Sequence, residues 1–250
     1  MVYAEKTYTV QLPQIDKSVD QDEEWILLEE KDEQRRLRIR LHDYAELYSI
    51  PGLYEEVVYR RLNCRSPEVV CSMLLAERKK AGDEEPLRVL DFGAGNGIVA
   101  ERLQASGQCE LAVGVDVIPE ARDAARRDRP GVYDHYYVKD LLNLDEVGRK
   151  ELSRWGFNSL VTVAALGFGD IPARAFVNAF RLLPDGAWLA FNIKDRFLSD
   201  DDTTGYKDTI VELMNHGLTV RARKRYRHRY SLAGEELYYH AIVGRKKDSA

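Results

Sequence analysis

The chain has 250 residues, a formal net charge of -5 and a hydrophobic fraction of 44%. That length suits one α/β domain with an extension, and that apolar share fills an ordinary core. The acidic balance argues against a dedicated nucleic-acid binder, and no stretch approaches the roughly 20 apolar residues of a membrane span. Residues 1–20 are polar and carry no apolar signal region. Cys64, Cys71 and Cys109 form no CxxC pair and no zinc-ligand spacing with histidine. They read as reduced thiols, with no disulfide framework and no metal site. These features predict a soluble, cytoplasmic protein.

In chain order, residues 1–84 read as an extension and cap. Trp25-Ile26-Leu27-Leu28 is a short apolar run that suits a strand. The charges from Lys31 to Arg40 suggest a solvated helix face. A tyrosine-rich stretch follows, with Tyr44, Tyr48, Tyr54 and Tyr59 on two helical segments broken by Pro51-Gly52. Ser66-Pro67 opens a third helix, Ser as N-cap and Pro in the first turn, running to about Lys80.

From residue 85 to 250 the texture changes. Short apolar runs at Arg88–Phe92, Leu111–Asp116, His135–Val138, Ser159–Ala164 and Ala187–Ile193 read as strands. Helical patterns at Gly97–Ser106, Pro119–Arg127, Asp145–Trp155 and Ala173–Leu183 fill the gaps. That alternation predicts a doubly wound, mainly parallel sheet of seven strands. Tyr206–His216 reads as a last helix. Leu218–Tyr230 and Glu236–Arg245, joined by Ser231-Leu232-Ala233-Gly234, read as an antiparallel C-terminal hairpin.

The chemistry concentrates at strand ends. Asp91-Phe92-Gly93-Ala94-Gly95-Asn96-Gly97 joins the first strand of this series to a helix, and glycines at alternate positions let a ligand approach the backbone. Asp91 stands before the first glycine, where a carboxylate suits an ammonium better than a phosphate. Asp116 ends the next strand, where an acid can grip ribose hydroxyls. Asp140 follows the third. Asp116 and Asp140 each have a plainer reading as a turn or cap residue, but three acids at successive strand ends form a constellation.

On these residues the chain resembles the class I, Rossmann-like S-adenosylmethionine-dependent methyltransferases. The resemblance runs from about Val89 to Gly244, and includes Leu183-Pro184-Asp185-Gly186 before the fifth strand. It implies S-adenosyl-L-methionine as cofactor. The Gly93-Ala94-Gly95 backbone would lie against methionine and ribose, Asp91 would approach the amino group, and Asp116 would hold the ribose. Val117 would press on the adenine, and Asp140 and Leu141 would read its edge. Ala164, at the end of the fourth strand, and Tyr44 complete the expected set. The tyrosine-rich segment is loosely similar to the Williams-Beuren region methyltransferase-like group. The Asn/Asp-Pro-Pro-aromatic motif of base- and amide-methylating enzymes is absent.

A small-molecule methyl acceptor is the expected partner. RNA- or protein-directed methylation through the basic run Arg221–Tyr230 is the second reading, although such charges also protect a sheet edge. A non-catalytic S-adenosylmethionine-binding protein is the third, and a nicotinamide or flavin enzyme fits the glycine spacing less well. No catalytic residue is fixed; His42 and Tyr48 are the candidates. Oligomeric state is not encoded in these patterns.

Overall fold

The computed structural model describes residues 8–30 and 35–247. Two sheets are present among them. A small antiparallel sheet is formed by β1 (Tyr8–Gln11), β2 (Trp25–Glu30) and β3 (Arg35–Arg40), in that order. The expected helix over Lys31–Arg40 is therefore corrected for Arg35–Arg40; residues 31–34 lie outside the described residues. The reason is a period of two hidden among charges: Leu37 and Ile39 turn inward opposite Leu28 and Ile26 while the arginines face out. β1 had no signal in the polar leading segment; Tyr8 and Val10 supply its buried face.

Helix α1 (Tyr44–Ser49), a wide π-type segment at Glu55–Arg61, and α2 (Ser66–Lys80) follow. The main fold then alternates through β4 (Leu87–Phe92), α3 (Ile98–Ala105), β5 (Cys109–Asp116), α4 (Pro119–Asp128), β6 (His135–Val138), α5 (Glu146–Ser153), β7 (Ser159–Thr162), α6 (Ala173–Arg181), β8 (Trp188–Lys194) and α7 (Tyr206–Glu212). The hairpin β9 (Leu218–Tyr230) and β10 (Glu236–Lys246) ends it.

The seven-stranded sheet runs β6-β5-β4-β7-β8-β10-β9. The first five strands are parallel, and β10 joins β8 and β9 antiparallel. This is the doubly wound sheet with an antiparallel C-terminal hairpin that the sequence predicts. The chain leaves β4 toward one side of the sheet and β7 lies on the other, so the order reverses between them. Open α/β sheets bind ligands at such a switch point, beyond the carboxyl ends of the strands.

The central strands are buried on both faces. Leu90, Phe92, Leu160 and Phe191 pack with Leu152 of α5, Phe176 of α6 and Ile210 of α7. Val89, Val161 and Ala190 pack with Val70 and Leu74 of α2 and Val99 and Leu103 of α3. The cap has its own core of Ile26, Leu28, Ile39, Leu47, Leu53 and Val57. It rests on α4 through Tyr48 against Ala121 and Ala124, and Arg127 donates to the Tyr48 carbonyl at 3.0 Å. The cap thus lies over the strand ends that form the switch point. No described helix is long and apolar enough to cross a membrane.

Candidate active site

The turn after β4 holds three glycines at positive φ, Gly93 at 73°, Gly95 at 52° and Gly97 at 87°. At two of them space is also decisive. A Cβ on Gly93 would sit 2.6 Å from Ala165 Cβ, and one on Gly95 would sit 2.5 Å from the Tyr48 hydroxyl. The turn is pressed between the loop after β7 and the cap. Tyr136 donates to the Gly95 carbonyl at 2.9 Å and fixes it from the side.

Beyond this turn lies a cavity of about 550 Å³, within the usual range of small-molecule sites. Gly93, Asp116, Val117, Asp140, Leu141, Ala164 and Tyr44 all line it, as do the two candidates His42 and Tyr48. Strand ends supply the floor and the cap supplies Tyr44, Tyr48 and Tyr54. Asp91, Ala94 and Gly95 do not line it. The Asp91 carboxylate is buried behind the turn, where Tyr133 donates to Oδ2 at 2.7 Å and Oδ1 has no partner. Burial pushes its pKa up to about 7, against the lowering by the Tyr133 hydrogen bond.

Asp116 is half-buried at the end of β5. Its Oδ2 accepts the Gly95 N–H at 3.0 Å and its Oδ1 the Ile118 N–H at 3.1 Å. Burial raises its pKa and these backbone donors oppose the rise. Asp140 is exposed; it accepts the Leu142 N–H at 2.7 Å and the Asn143 side-chain amide at 2.9 Å. It therefore caps its own turn while facing the cavity. β7 ends two residues before the expected Ala164, because Ala164 adopts φ 56°. Asn192 holds it there, accepting the Ala164 N–H at 2.7 Å. Burial raises the pKa values of Tyr44 and Tyr48, so both hydroxyls are neutral.

Sequence reasoning missed Asp170. It sits in the loop after β7, and nothing in the sequence marked it against its neighbours. The fold brings it to His42, with Nδ1 to Oδ2 at 3.2 Å. Tyr133, the partner of Asp91, was also missed; a single tyrosine ahead of a strand carries no signal.

Among the described residues the lining contains three carboxylates, Asp116, Asp140 and Asp170, and no lysine or arginine. A pyrophosphate is poorly served by such a wall. A nucleoside carrying a sulfonium and an ammonium, with ribose hydroxyls to donate, fits it, and the glycine turn leaves room that a side chain would fill. Fold and site thus define a class I methyltransferase architecture.

Comparison with known proteins agrees. The family model described as a methyltransferase domain matches residues 65–237, more than half of the chain. The chain belongs to this family and is an S-adenosylmethionine-dependent methyltransferase. No curated protein matches it. Among solved structures, a sarcosine dimethylglycine methyltransferase, so described as putative, from Galdieria sulphuraria is 15% identical, with a TM-score of 0.52, covering 73% of this chain and 87% of that one. A putative RNA methyltransferase from Pyrococcus horikoshii is 19% identical, with a TM-score of 0.50 and coverage of 74% and 87%. Magnesium protoporphyrin IX methyltransferase from Synechocystis PCC 6803, with bound SAM, is 13% identical, with a TM-score of 0.50 and coverage of 73% and 79%. At these identities the likeness is one of fold; the three differ widely in what their names say they methylate.

Proposed function

We propose that this enzyme methylates a small molecule held in the cavity beneath the tyrosine cap. The observation that carries this reading is the cavity itself: about 550 Å³ at the switch point, walled by strand ends and roofed by Tyr44, Tyr48 and Tyr54. In this reading Gly93, Asp116, Val117, Asp140, Leu141, Ala164 and Tyr44 contact the methyl donor. Asp116 accepts hydrogen bonds from ribose hydroxyls, and Asp140 with the Leu141 N–H meets the adenine edge. Asp91, Ala94 and Gly95 shape the turn from behind. The donor supplies an activated methyl group; the protein's part is to position both reactants and exclude water. The 1–84 segment serves as lid and residues 85–250 as the catalytic domain.

The RNA-directed alternative rests on the arginines of β9, and local partners weaken it. Arg225 donates to Asp195 at 2.7 Å, Arg229 to buried Glu24 at 2.6 Å, and Arg227 faces Glu236 at 3.9 Å. Phosphate binding needs such charges free to displace counterions.

Calorimetric titration with S-adenosylhomocysteine tests the donor site. Saturable binding is expected, weakened about 10- to 100-fold in Asp116→Asn, as for loss of a charged hydrogen-bond acceptor. Undiminished affinity in that variant would refute the assignment. Labelled methyl groups should enter the small-molecule filtrate of a cell extract; transfer confined to its RNA or protein would overturn the acceptor class.

A further inference from the structure

His42 and Asp170 lie 128 residues apart in sequence and meet at the cavity wall. Asp170 faces His42 Nδ1 with both oxygens, Oδ2 at 3.2 Å and Oδ1 at 3.5 Å. The imidazole is packed edge-on against Phe168, with ring centroids 5.2 Å apart, and tilted against Tyr44 at 5.5 Å. Its side chain keeps 10% of its surface accessible, and no described residue takes Nε2 in a hydrogen bond. A carboxylate on Nδ1 draws the proton to that nitrogen and leaves the Nε2 lone pair free. This is how an orienting acid prepares an imidazole to accept a proton.

The surroundings select what brings that proton. Among the described residues the wall carries three carboxylates, three tyrosine rings and no lysine or arginine. The donor itself brings a net charge of about +1, so an anionic acceptor would meet excess negative charge, whereas a cation is favoured by the carboxylates and by the ring faces. The other charged and titratable groups around His42 do not reverse this. Arg229 behind it is neutralised by Glu24 at 2.6 Å. His228 and Tyr239, also behind it, are kept uncharged by burial. Lys194 and Arg196 lie across the Phe168 ring, 4.9 and 5.3 Å from its centre, outside the cavity lining, and Arg196 pairs with Asp20 at 2.8 Å.

Resting on the donor site proposed above, we infer that the methyl acceptor is a protonated amine, that His42 is the catalytic base that deprotonates it, and that Asp170 is the positioning residue that orients His42. A protonated amine has no lone pair to attack with. His42 Nε2 takes one N–H proton and frees the pair. The amine nitrogen then bonds to the methyl carbon as the carbon–sulfur bond breaks, its electron pair returning to sulfur to give S-adenosylhomocysteine. The methylated ammonium carries the positive charge away, and His42 releases its proton to solvent.

The test uses full-length protein saturated with S-adenosylhomocysteine, ¹⁵N NMR of the His42 ring, and three aromatic probes of similar size: benzylamine, benzyl alcohol and benzoate. Neutral His42 is expected to carry its proton on Nδ1. Asp170→Asn, which is close in size and sits on a partly exposed loop, should abolish that preference while S-adenosylhomocysteine still binds. Benzylamine should bind at least about tenfold tighter than benzoate, a difference of about 1.4 kcal/mol, and also tighter than the alcohol. A proton resident on Nε2, a tautomer indifferent to Asp170→Asn, or a preference for benzoate or benzyl alcohol would overturn the inference. Failure of S-adenosylhomocysteine to bind would be a separate result: it would remove the donor site, and this proposal with it.

Discussion

The two ends of the main sheet differ in whether arginines accompany their carboxylates. At the amino ends of the strands, Asp83 sits among cations and donors. It accepts from Trp188 Nε1 at 2.7 Å and lies 3.3 Å from Arg78 and 3.6 Å from Arg245. Asn158 stitches the same end, accepting the Arg88 N–H at 2.8 Å and donating to the Pro86 carbonyl at 2.9 Å. A cavity of about 460 Å³ lies there too, where Arg78 and Arg245 stand beside Asp83, Glu85 and Asp185. At the carboxyl ends, three carboxylates share a cavity that no lysine or arginine among the described residues lines, beside a glycine turn and Ala164 and Phe168 at positive φ. Charge matched within the protein stabilises a fold; charge left unmatched at a cavity awaits a ligand. Both ends hold large cavities, so size alone does not mark the site.

That contrast breaks most visibly at Asp83. Asp83→Ala leaves Arg78 buried without its anion, and is expected to cost about 3–5 kcal/mol of stability with S-adenosylhomocysteine affinity unchanged. Urea unfolding and calorimetry read the two quantities separately; a loss of affinity at full stability would erase the distinction between the ends. Asp83 also sets an acid limit. Its pKa is held below the ordinary 3.8 by Trp188 and Arg78 despite burial, so its contribution is present above about pH 4 and is lost as pH falls further.

Asp91 should behave in the reverse sense. Its folded pKa of about 7 lies above the ordinary 3.8. The folded state therefore prefers the protonated acid, and stability is complete below about pH 4 and declines as pH rises toward 7. Asp91→Asn resembles the protonated form, so it should match the parent at low pH and gain about 4 kcal/mol above pH 7. Melting curves across that range check it; an advantage that shrinks with rising pH would contradict the burial argument. The smallest effect belongs to Asp140. Because it caps an exposed turn, Asp140→Ala should cost about 1 kcal/mol of stability and weaken donor binding severalfold, less than Asp116→Asn does. Equal effects at the two acids would blur the proposed division between ribose and adenine contacts.

What the sequence made legible follows from how strongly each feature repeats a physical pattern. The parallel strands announce themselves as apolar runs because they are buried on both faces. The glycine turn is legible because its backbone conformation excludes most residues. β3 is not, since four arginines conceal the inward pair Leu37 and Ile39. Nor is the end of β7: Ala164 is turned by the hydrogen bond its N–H donates to Asn192, a residue on another strand. Asp116 and Asp140 are legible as strand-end acids, whereas Asp170 acquires meaning only when the cap delivers His42 to it. A loop aspartate has no local signature of a partner 128 positions away.

The central claim is that the donor occupies the carboxyl-end cavity. A crystal structure with S-adenosylhomocysteine tests it most directly. The account predicts the ribose hydroxyls on Asp116, the adenine beside Asp140 and Leu141, and the tyrosine cap above. Ligand bound at the amino-end cavity around Arg78 and Asp83, or bound elsewhere with Asp116 untouched, would contradict it.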